Sequence, residues 1–408
     1  MKSWPGVPLP QLRGFDGSLH LYSTAAEKVI DLPKKDFYQM YVCGITPYDA
    51  THLGHAATYL TFDLIHRFWK SSGAIVNYIQ NITDIDDPLL ERANRDGVDW
   101  KALATSQIDL FRGDMTALRI LPPNHYEGAV DAIPDVIKAI EFLGSKNSVY
   151  NVEDDKYFEV HKDSKFGSES HFPESKMLEV FAERGGDPSR NGKRDPLDAL
   201  LWLHHRPGDP SWSSPFGEGR PGWHIECAAI ALKFAKENGE FILDIQGGGS
   251  DLIFPHHEMS ASQVRLLTNK EFARAYVHAG LIGLDGEKMS KSKGNLLFVS
   301  KMIASGIDPM VIRWALLKRH YRSDYMWLRN ETEIAEKEFK NLILSLSKDE
   351  VPPTDGLIRE IRVALSNDLD SPRAISAINQ WANAEGTGGN AEELREAIDA
   401  LLGIALPS

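Results

Sequence analysis

The sequence predicts an α/β protein in which an open parallel sheet is split by an insertion and followed by a helical domain. Two apolar stretches, residues 37–45 and 74–82, have the composition of buried strands, and residues 59–69 between them have apolar side chains at helical spacing. A strand, a helix and a second strand in this order form the βαβ unit of parallel sheets. Polar residues follow both strands, at the sheet edge where ligands bind in such folds.

Two further apolar stretches, residues 241–245 and 276–284, are predicted as later strands of the same sheet. The sequence between the two groups of strands has a different pattern, with a helix predicted over 129–143, strand-like residues over 149–160 and a polar loop over 183–194. We interpret this stretch as a connective insertion. Five segments result: the first half of the sheet domain (1–121), the insertion (122–196), the second half of the sheet domain (197–286), a loop and helical stem (287–345), and a C-terminal helical domain (346–408).

Composition is that of an ordinary globular protein. Hydrophobic residues make up 42% of the 408 residues, which allows a large core and, at roughly 100–200 residues per domain, two to three domains. The net charge of -13 argues against broad binding of a nucleic acid backbone. The sequence has no apolar run long enough to span a membrane, no signal-peptide pattern in residues 1–15 and too few cysteines for a disulfide framework. We therefore expect a cytoplasmic protein.

Two strings carry the candidate chemistry of a phosphate site. The first lies where the first helix is predicted to begin and is His52-Leu53-Gly54-His55. Backbone N–H groups at a helix start favour an anion, and two imidazoles can donate to phosphoryl oxygens. The second string, on a Gly-ended loop suited to a pyrophosphate leaving group, is Lys288-Met289-Ser290-Lys291-Ser292-Lys293-Gly294. Each string alone is explained as readily by an ordinary loop, but both in this order favour a nucleotide site. The catalytic candidates are His52, His55, Lys288 and Lys291.

These two strings resemble the signature motifs of the class I aminoacyl-tRNA synthetases, whose catalytic domain is a Rossmann-type parallel sheet. Four further strings resemble the cysteinyl branch of that class, and they begin at Asn81, Lys193, Arg220 and Gly247. Together the strings cover most of residues 20–325. The resemblance implies that ATP activates an amino acid carboxylate to give an aminoacyl adenylate and pyrophosphate. This step needs alignment and charge neutralisation rather than a base.

Cys43, Cys227 and His256 form a candidate metal-ligand set of two sulfurs and one nitrogen. From the residues alone, two buried apolar cysteines and a capping or core histidine explain the set equally well. The resemblance to the cysteinyl branch implies instead that the three side chains bind one Zn²⁺ per chain and that the substrate thiolate completes the coordination. A metal–thiolate bond would select cysteine over serine. The tRNA enzymes have a further glutamate ligand where this chain has Ser260, and Glu258 is the alternative fourth ligand.

The resemblance also implies which residues contact the substrates. Thr46 and Asp251 would hold the amino group of cysteine, and Trp223 would line its pocket. The alternatives are core packing for Trp223 and a turn or helix cap for Asp251. The full set expected at cysteine and the adenylate is Cys43, Gly44, Ile45, Thr46, Thr58, Asn81, Ile82, Thr83, Trp223, Gly249, Ser250, Asp251 and Ile282.

An acidic string, Asp84, Asp86 and Asp87, follows the strand predicted over 74–82. Such carboxylates can hold Mg²⁺, but at a strand end they more often cap a helix or pair with a cation. We expect Mg²⁺ to arrive with ATP, coordinated largely by phosphates and water.

Three features bear on the acceptor of the activated cysteine. The chain after Ser292 ends in short acidic helices, without the basic or aromatic tail that suits an anticodon loop. Residues 45–48 read Ile-Thr-Pro-Tyr, where the tRNA enzymes have Pro-Thr-Val-Tyr, and residues 183–188 add a polar loop. These features resemble the cysteine:glucosaminyl-inositol ligases of mycothiol biosynthesis over the whole chain.

That resemblance implies an ATP-dependent ligase that joins L-cysteine to the amine of glucosaminyl-inositol. The reaction would proceed without a nucleic acid or membrane partner, and the protein would be a monomer. A truncated cysteinyl-tRNA synthetase is the alternative. The 183–188 loop is interpreted either as a contact to the acceptor or adenylate or as a surface turn.

Overall fold

The computed structural model describes residues 1–12, 17–284, 287–288 and 296–407. The strands of the described residues are β1 (Leu19–Ser23), β2 (Lys28–Leu32), β3 (Phe37–Val42), β4 (Ile75–Ile82), β5 (His125–Gly128), β6 (Val149–Val152), β7 (Asp155–Phe158), β8 (Ala199–His204), β9 (Gly219–Pro221), β10 (Phe241–Gly249), β11 (Glu271–Ala279), β12 (Ile282–Leu284), β13 (Glu287–Lys288) and β14 (Tyr325–Trp327). The α-helices are α1 (Leu53–Ser71), α2 (Asp87–Asp96), α3 (Trp100–Ala117), α4 (Ala129–Ser145), α5 (Glu174–Glu183), α6 (Trp223–Phe234), α7 (Glu258–Thr268), α8 (Val299–Ala304), α9 (Pro309–Leu317), α10 (Glu331–Leu346), α11 (Asp355–Ser366), α12 (Ser371–Ala382) and α13 (Ala391–Leu402).

Five of the strands form a parallel sheet in the order β11-β10-β3-β4-β5. β3 and β4 are buried along nearly their whole length, as expected of parallel strands covered by helices on both faces. α1 is the crossover between them, which confirms the predicted βαβ unit. The strand predicted over 276–284 is interrupted after Ala279. Residues 280 and 281 separate β11 from β12, and a side chain at Gly280 would lie only 2.6 Å from the backbone of Ser323.

The insertion contains an antiparallel sheet in the order β6-β7-β8-β9. The predicted helix and the strand-like residues after it are present as α4 and the β6–β7 hairpin. The boundaries differ from the predicted 122–196 at both ends. β5 lies inside that range yet pairs with β4 in the central sheet, and β8 and β9 extend the antiparallel sheet to Pro221. Strand pairing, which local sequence does not encode, sets these limits.

Two hydrophobic clusters enclose the central sheet. In the first cluster, α1 and the face of the sheet beside it pack against the C-terminal helices. In the second cluster, the opposite face of the sheet packs against α4, α6, α7 and the insertion. The described residues after Tyr321 are helical apart from β14, with a break between α10 and α11 and a Gly-rich linker before α13. Among the described helices, none is both long enough and apolar enough to cross a membrane.

A buried ionic cluster joins α1 to the C-terminal helices. Asp63 accepts hydrogen bonds from Arg67, at 2.8 Å, and from Arg313 on α9, and all three side chains are fully buried. Arg313 also donates to the carbonyl of Leu402 at the end of α13, at 2.6 Å. The cluster therefore fixes the helix that carries the first phosphate-site string against the C-terminal domain.

Candidate metal and adenylate site

Cys43, Cys227 and His256 meet at the carboxyl edge of the central sheet. Cys43 follows β3, Cys227 lies in α6, and His256 lies in the bent segment between β10 and α7. One ligand atom of each side chain lies within 4.8 Å of those of the other two, and all three residues are buried. The candidate set proposed from the sequence is therefore brought together in space.

The protonation of the two thiols suits a cation. Burial raises the pKa of the Cys43 thiol well above its usual value. Burial also opposes ionisation of Cys227, but hydrogen bonding with Cys43 and His256 brings the pKa of Cys227 well below its usual value. Nε2 of His256 lies 3.1 Å from Sγ of Cys227. One anionic sulfur, a second sulfur and an imidazole form a donor set that fits Zn²⁺.

Further histidines surround the ligand set. Nε2 of His257 lies 3.3 Å from Sγ of Cys43, and Nδ1 of His257 lies 2.8 Å from Nε2 of His278. Nδ1 of His224 lies 3.0 Å from Nδ1 of His256. None of these three histidines was predicted from the sequence to have a role. His224 and His257 could have been noticed from the sequence because each stands within three residues of a predicted metal ligand.

Glu258, the alternative fourth ligand, is held by the insertion. Both carboxylate oxygens of Glu258 accept hydrogen bonds from backbone N–H groups of the insertion, at Gly167 (2.7 Å), Glu169 (3.1 Å) and Ser170 (2.8 Å). These contacts direct the Glu258 side chain to the insertion rather than to the set of Cys43, Cys227 and His256. The Ser260 hydroxyl donates to the carbonyl of His256 at 2.8 Å, a contact within the helix start. A site with three protein ligands leaves a position for water or substrate.

Trp223 covers the ligand set. Its ring is stacked on that of His256, with centroids 4.3 Å apart and planes at 25°, and the side chain is only partly buried. Asp251 is exposed at the end of β10, and a side chain at Gly249 would lie 2.4 Å from its Oδ1 and 3.9 Å from Oγ1 of Thr58. Ser250 begins the turn that follows β10. Trp223, partly exposed, and Asp251, exposed, are thus accessible to a ligand.

A second group of predicted residues is fixed by Asn81. Its Oδ1 accepts hydrogen bonds from the backbone N–H of Gly44 (2.8 Å) and from the hydroxyl of Tyr41 (3.0 Å), and its Nδ2 lies 3.2 Å from Oγ1 of Thr83. The N–H of Thr83 donates to the carbonyl of Ile45. A side chain at Gly44 would lie 1.7 Å from the carbonyl oxygen of Asn81, so only glycine fits there. The ends of β3 and β4 are thus held together.

The remaining predicted contacts lie around this edge. Thr46 is partly exposed next to Ile45, whereas Ile82 and Ile282 are buried in β4 and β12. Ile82 has no accessible surface, whereas Ile282 keeps 5% of its surface exposed. Their main contribution is to the hydrophobic core.

The first phosphate-site string forms the start of α1. His52 is the N-cap, and its Nδ1 accepts a hydrogen bond from the N–H of Gly54 at 3.1 Å. The rings of His52 and His55 are stacked with centroids 3.8 Å apart. This arrangement places two imidazoles at a helix N-terminus, where an anion is favoured.

The second string is only partly described. The backbone of Lys288 pairs with Gly283, whereas Lys291 lies outside the described residues, as does most of its loop. The segment after that loop is tied to the first string, because the N–H of Leu53 donates to the carbonyl of Leu297 at 2.9 Å and the N–H of Val299 donates to that of Thr51 at 3.0 Å. Leu297 and Val299 therefore lie beside the start of α1.

The acidic string after β4 caps helices and pairs with arginine. Oδ1 of Asp84 accepts a hydrogen bond from the N–H of Val130 at the start of α4, Asp86 is the N-cap of α2, and Asp87 pairs with Arg220. Burial raises the pKa of both Asp84 and Asp86 to about 6. These contacts support the interpretation as caps and an ion pair over a magnesium site.

Comparison with known proteins agrees with this geometry. A family model for the catalytic domain of class I tRNA synthetases (C) matches residues 30–337. Curated relatives named L-cysteine:1D-myo-inositol 2-amino-2-deoxy-alpha-D-glucopyranoside ligase are 51% identical in Thermomonospora curvata and in Kribbella flavida, and 50% identical in Streptomyces coelicolor. Each alignment covers 100% of both chains. The chain belongs to this ligase family.

Solved structures show the fold on which the ligase family is built. A Mycobacterium tuberculosis methionyl-tRNA synthetase in complex with methionyl-adenylate matches with a TM-score of 0.65 at 18% identity, covering 91% of this chain and 89% of that one. An Agrobacterium radiobacter LeuRS in a ternary complex with tRNA matches with a TM-score of 0.62 at 11% identity, covering 91% and 84%. The predicted class I synthetase fold, with its insertion and C-terminal helices, is confirmed.

Proposed function

We propose that the chain activates L-cysteine with ATP and transfers it to the amine of glucosaminyl-inositol, forming an amide with release of AMP and pyrophosphate. The identity of 51% over the whole chain to curated members of the ligase family favours this activity over that of a truncated cysteinyl-tRNA synthetase. The observation that carries the proposal is the buried cluster of Cys43, Cys227 and His256, covered by Trp223 at the sheet edge where α1 begins.

The cluster accounts for the choice of amino acid. Zn²⁺ held there would supply a coordination position that suits the thiolate of cysteine better than the hydroxyl of serine. Cys43, Cys227 and His256 would hold the ion, and Trp223 would limit the space above it. Asp251 is exposed nearby with Thr46 and is suited to hold the ammonium group of cysteine. These contacts would fix the sulfur and the nitrogen of cysteine and leave its carboxylate free to react.

Activation joins the cysteine carboxylate to the nucleotide. A carboxylate oxygen attacks the α-phosphorus of ATP, and the bond from that phosphorus to pyrophosphate breaks. His52 and His55 would donate to phosphoryl oxygens at the N-terminus of α1, and Lys288 and Lys291 would neutralise the departing pyrophosphate. Mg²⁺ would enter with ATP. Amide formation follows when the amine of the amino sugar attacks the carbonyl carbon and the bond to AMP breaks. The amine must lose a proton in this step.

An acceptor assay tests the proposal. The purified protein is given ATP and labelled cysteine, and tRNA and glucosaminyl-inositol are offered in parallel reactions. We expect label on the amino sugar, with one AMP for each amide, and none on tRNA. Cys227→Ala should abolish both amide formation and cysteine-dependent ATP–pyrophosphate exchange. Label on tRNA but not on the sugar would reject the proposal in favour of the tRNA enzyme.

A further inference from the structure

The polar loop at residues 183–188 contacts the segment that carries the metal ligand His256. Arg184 directly follows α5, and its Nη1 donates hydrogen bonds to the backbone carbonyls of Asp251 and Phe254. In the described part of the chain, no carboxylate lies within ion-pair distance of its guanidinium. The side chain is therefore committed to these two carbonyl groups.

The segment between β10 and α7 needs an external donor. It begins with a single tight turn, Ser250–Leu252, and its backbone is then extended at Phe254, with φ -139° and ψ 137°. An extended residue interrupts the helical hydrogen-bond pattern and leaves carbonyl groups without helical partners. Arg184 satisfies two of them. One of these carbonyls belongs to Asp251, and the other lies two residues before His256.

The loop that presents Arg184 is itself fixed by the insertion. Gly185 has φ +84°, which favours glycine, and a side chain at Gly186 would lie 2.5 Å from the ring of Phe181. The carboxylate of Asp187 accepts hydrogen bonds from the hydroxyl of Tyr157 and, at 2.9 Å, from Nζ of Lys193. Positions 185 and 186 thus both favour glycine, and the Asp187 side chain that follows is held by Tyr157 and Lys193.

Packing continues the connection into the core beneath the site. Phe181, at the end of α5, and Phe254, in the segment that Arg184 contacts, are both buried in the hydrophobic cluster that includes Cys43 and Cys227. Phe172 of the insertion lies with its ring centroid 6.1 Å from that of Phe254. The insertion therefore touches this segment through apolar contacts as well as through Arg184.

We propose that Arg184 is a positioning residue that sets the placement of His256 for the metal and of Asp251 for the ammonium group of cysteine. The proposal rests on the proposed function, since it assigns roles to residues of that same site. Arg184 acts through the backbone of the segment and touches neither substrate nor metal. On this proposal, the 183–188 loop connects the insertion to the site and is neither a free surface turn nor a contact to the acceptor.

Two measurements on Arg184→Ala test the proposal. Zinc affinity, measured by competition with a chromogenic chelator on the purified protein, should weaken roughly 10–100-fold, the loss typical when a ligand loses its support. In cysteine-dependent ATP–pyrophosphate exchange, the KM for cysteine should rise while the KM for ATP stays that of the unchanged protein. Arg184→Lys, which keeps a cation and donors, should recover part of both losses.

Lys176→Ala is the matched control, because Lys176 lies on α5 and pairs with the exposed Glu179 at 3.0 Å. It should leave zinc affinity and both KM values unchanged. The proposal is overturned if Arg184→Ala keeps normal zinc affinity and cysteine KM, or if it raises both KM values equally with a lowered melting temperature. Absence of cysteine-dependent exchange in the unchanged protein would instead reject the proposed function, and the zinc measurement would still decide the role of Arg184.

Discussion

His257 lies with Nε2 3.3 Å from Sγ of Cys43, and both side chains are buried. Its other ring nitrogen lies 2.8 Å from Nε2 of His278, whose Nδ1 lies 2.7 Å from the hydroxyl of Thr24. If each group donates toward the sulfur, this series of hydrogen bonds ends with Nε2–H of His257 donating to Sγ of Cys43. Such outer partners orient a metal ligand and fix the tautomer of the imidazole.

Replacing His257 with alanine should therefore weaken metal binding. We expect His257→Ala to lower zinc affinity roughly 10–100-fold, because the Cys43 sulfur loses its hydrogen-bond donor. Competition with a chelator measures the change. His125→Ala, which removes a histidine stacked on Phe234 far along the sheet, is the control and should bind zinc normally. Unchanged zinc affinity in His257→Ala would show that this histidine does not support Cys43.

Asp63→Asn should destabilise the fold strongly. The substitution removes the carboxylate that pairs with both Arg67 and Arg313 in the described core. The buried guanidinium of Arg313 then loses its counter-charge, and that of Arg67 is left with the more distant carboxylate of Asp399, at 3.8 Å. Breaking a buried ion pair in this way costs about 3–5 kcal/mol of the free energy of unfolding. Urea denaturation measures it. Asp109→Asn, which alters an exposed pair with Arg112, should change stability by less than about 0.5 kcal/mol. Similar losses in the two variants would contradict the account of the cluster.

Asp114 should make stability depend on pH. Burial raises its pKa to about 7, only partly offset by the hydroxyl of Thr51. The folded protein then binds this proton more tightly than the unfolded chain, whose aspartates titrate near about 4. The free energy of unfolding should fall as pH rises from about 4 through about 7, by at most about 1.4 kcal/mol per pH unit from this group.

Asp114→Asn should flatten that dependence. Because asparagine stays neutral, the variant should gain stability relative to the unchanged protein at pH 7 and show little difference at pH 4. Chemical denaturation over this range measures both. Asp109→Asn, on the exposed face of the same helix, should keep the original slope. An identical slope in Asp114→Asn would mean that Asp114 is ionised in the folded protein at neutral pH.

Lys291→Ala should slow activation without weakening cysteine binding. The prediction comes from the sequence string around Lys291, since this residue lies outside the described part of the chain. Loss of one group that neutralises the leaving pyrophosphate should lower the rate of adenylate formation roughly 100–1,000-fold. Single-turnover kinetics and a cysteine dissociation constant separate the two effects. Lys301→Ala, an exposed lysine on α8, is the control. Equal losses in rate and binding would contradict a role confined to the phosphates.

Sequence patterns predicted the parts of the fold where composition and periodicity agree. β3, α1 and β4 were predicted because buried parallel strands are apolar throughout and α1 has apolar residues at helical spacing. The proximity of Cys43, Cys227 and His256 came from the family resemblance, since these residues lie far apart in the chain. β5 falls inside the predicted insertion because this strand, only four residues long, is recognisable only by its pairing with β4.

Contacts between distant segments were the part that the sequence could not supply. Nothing local links Arg184 to the carbonyls of Asp251 and Phe254, or His278 to His257. Glu258 was considered as a ligand because it stands two residues after His256. On α7, however, its carboxylate is directed to the backbone of residues 167–170. Side-chain direction on a helix, rather than spacing in the sequence, decides such cases.

Amino acid discrimination before and after metal removal tests the central claim most directly. ATP–pyrophosphate exchange is measured with cysteine and with serine, using the purified protein, the chelator-treated protein and the latter after zinc is restored. We predict exchange with cysteine and little with serine, loss of the cysteine reaction on chelation, and recovery with zinc. Full activity in metal-free protein, or equal exchange with serine, would contradict a thiolate-binding metal held by Cys43, Cys227 and His256.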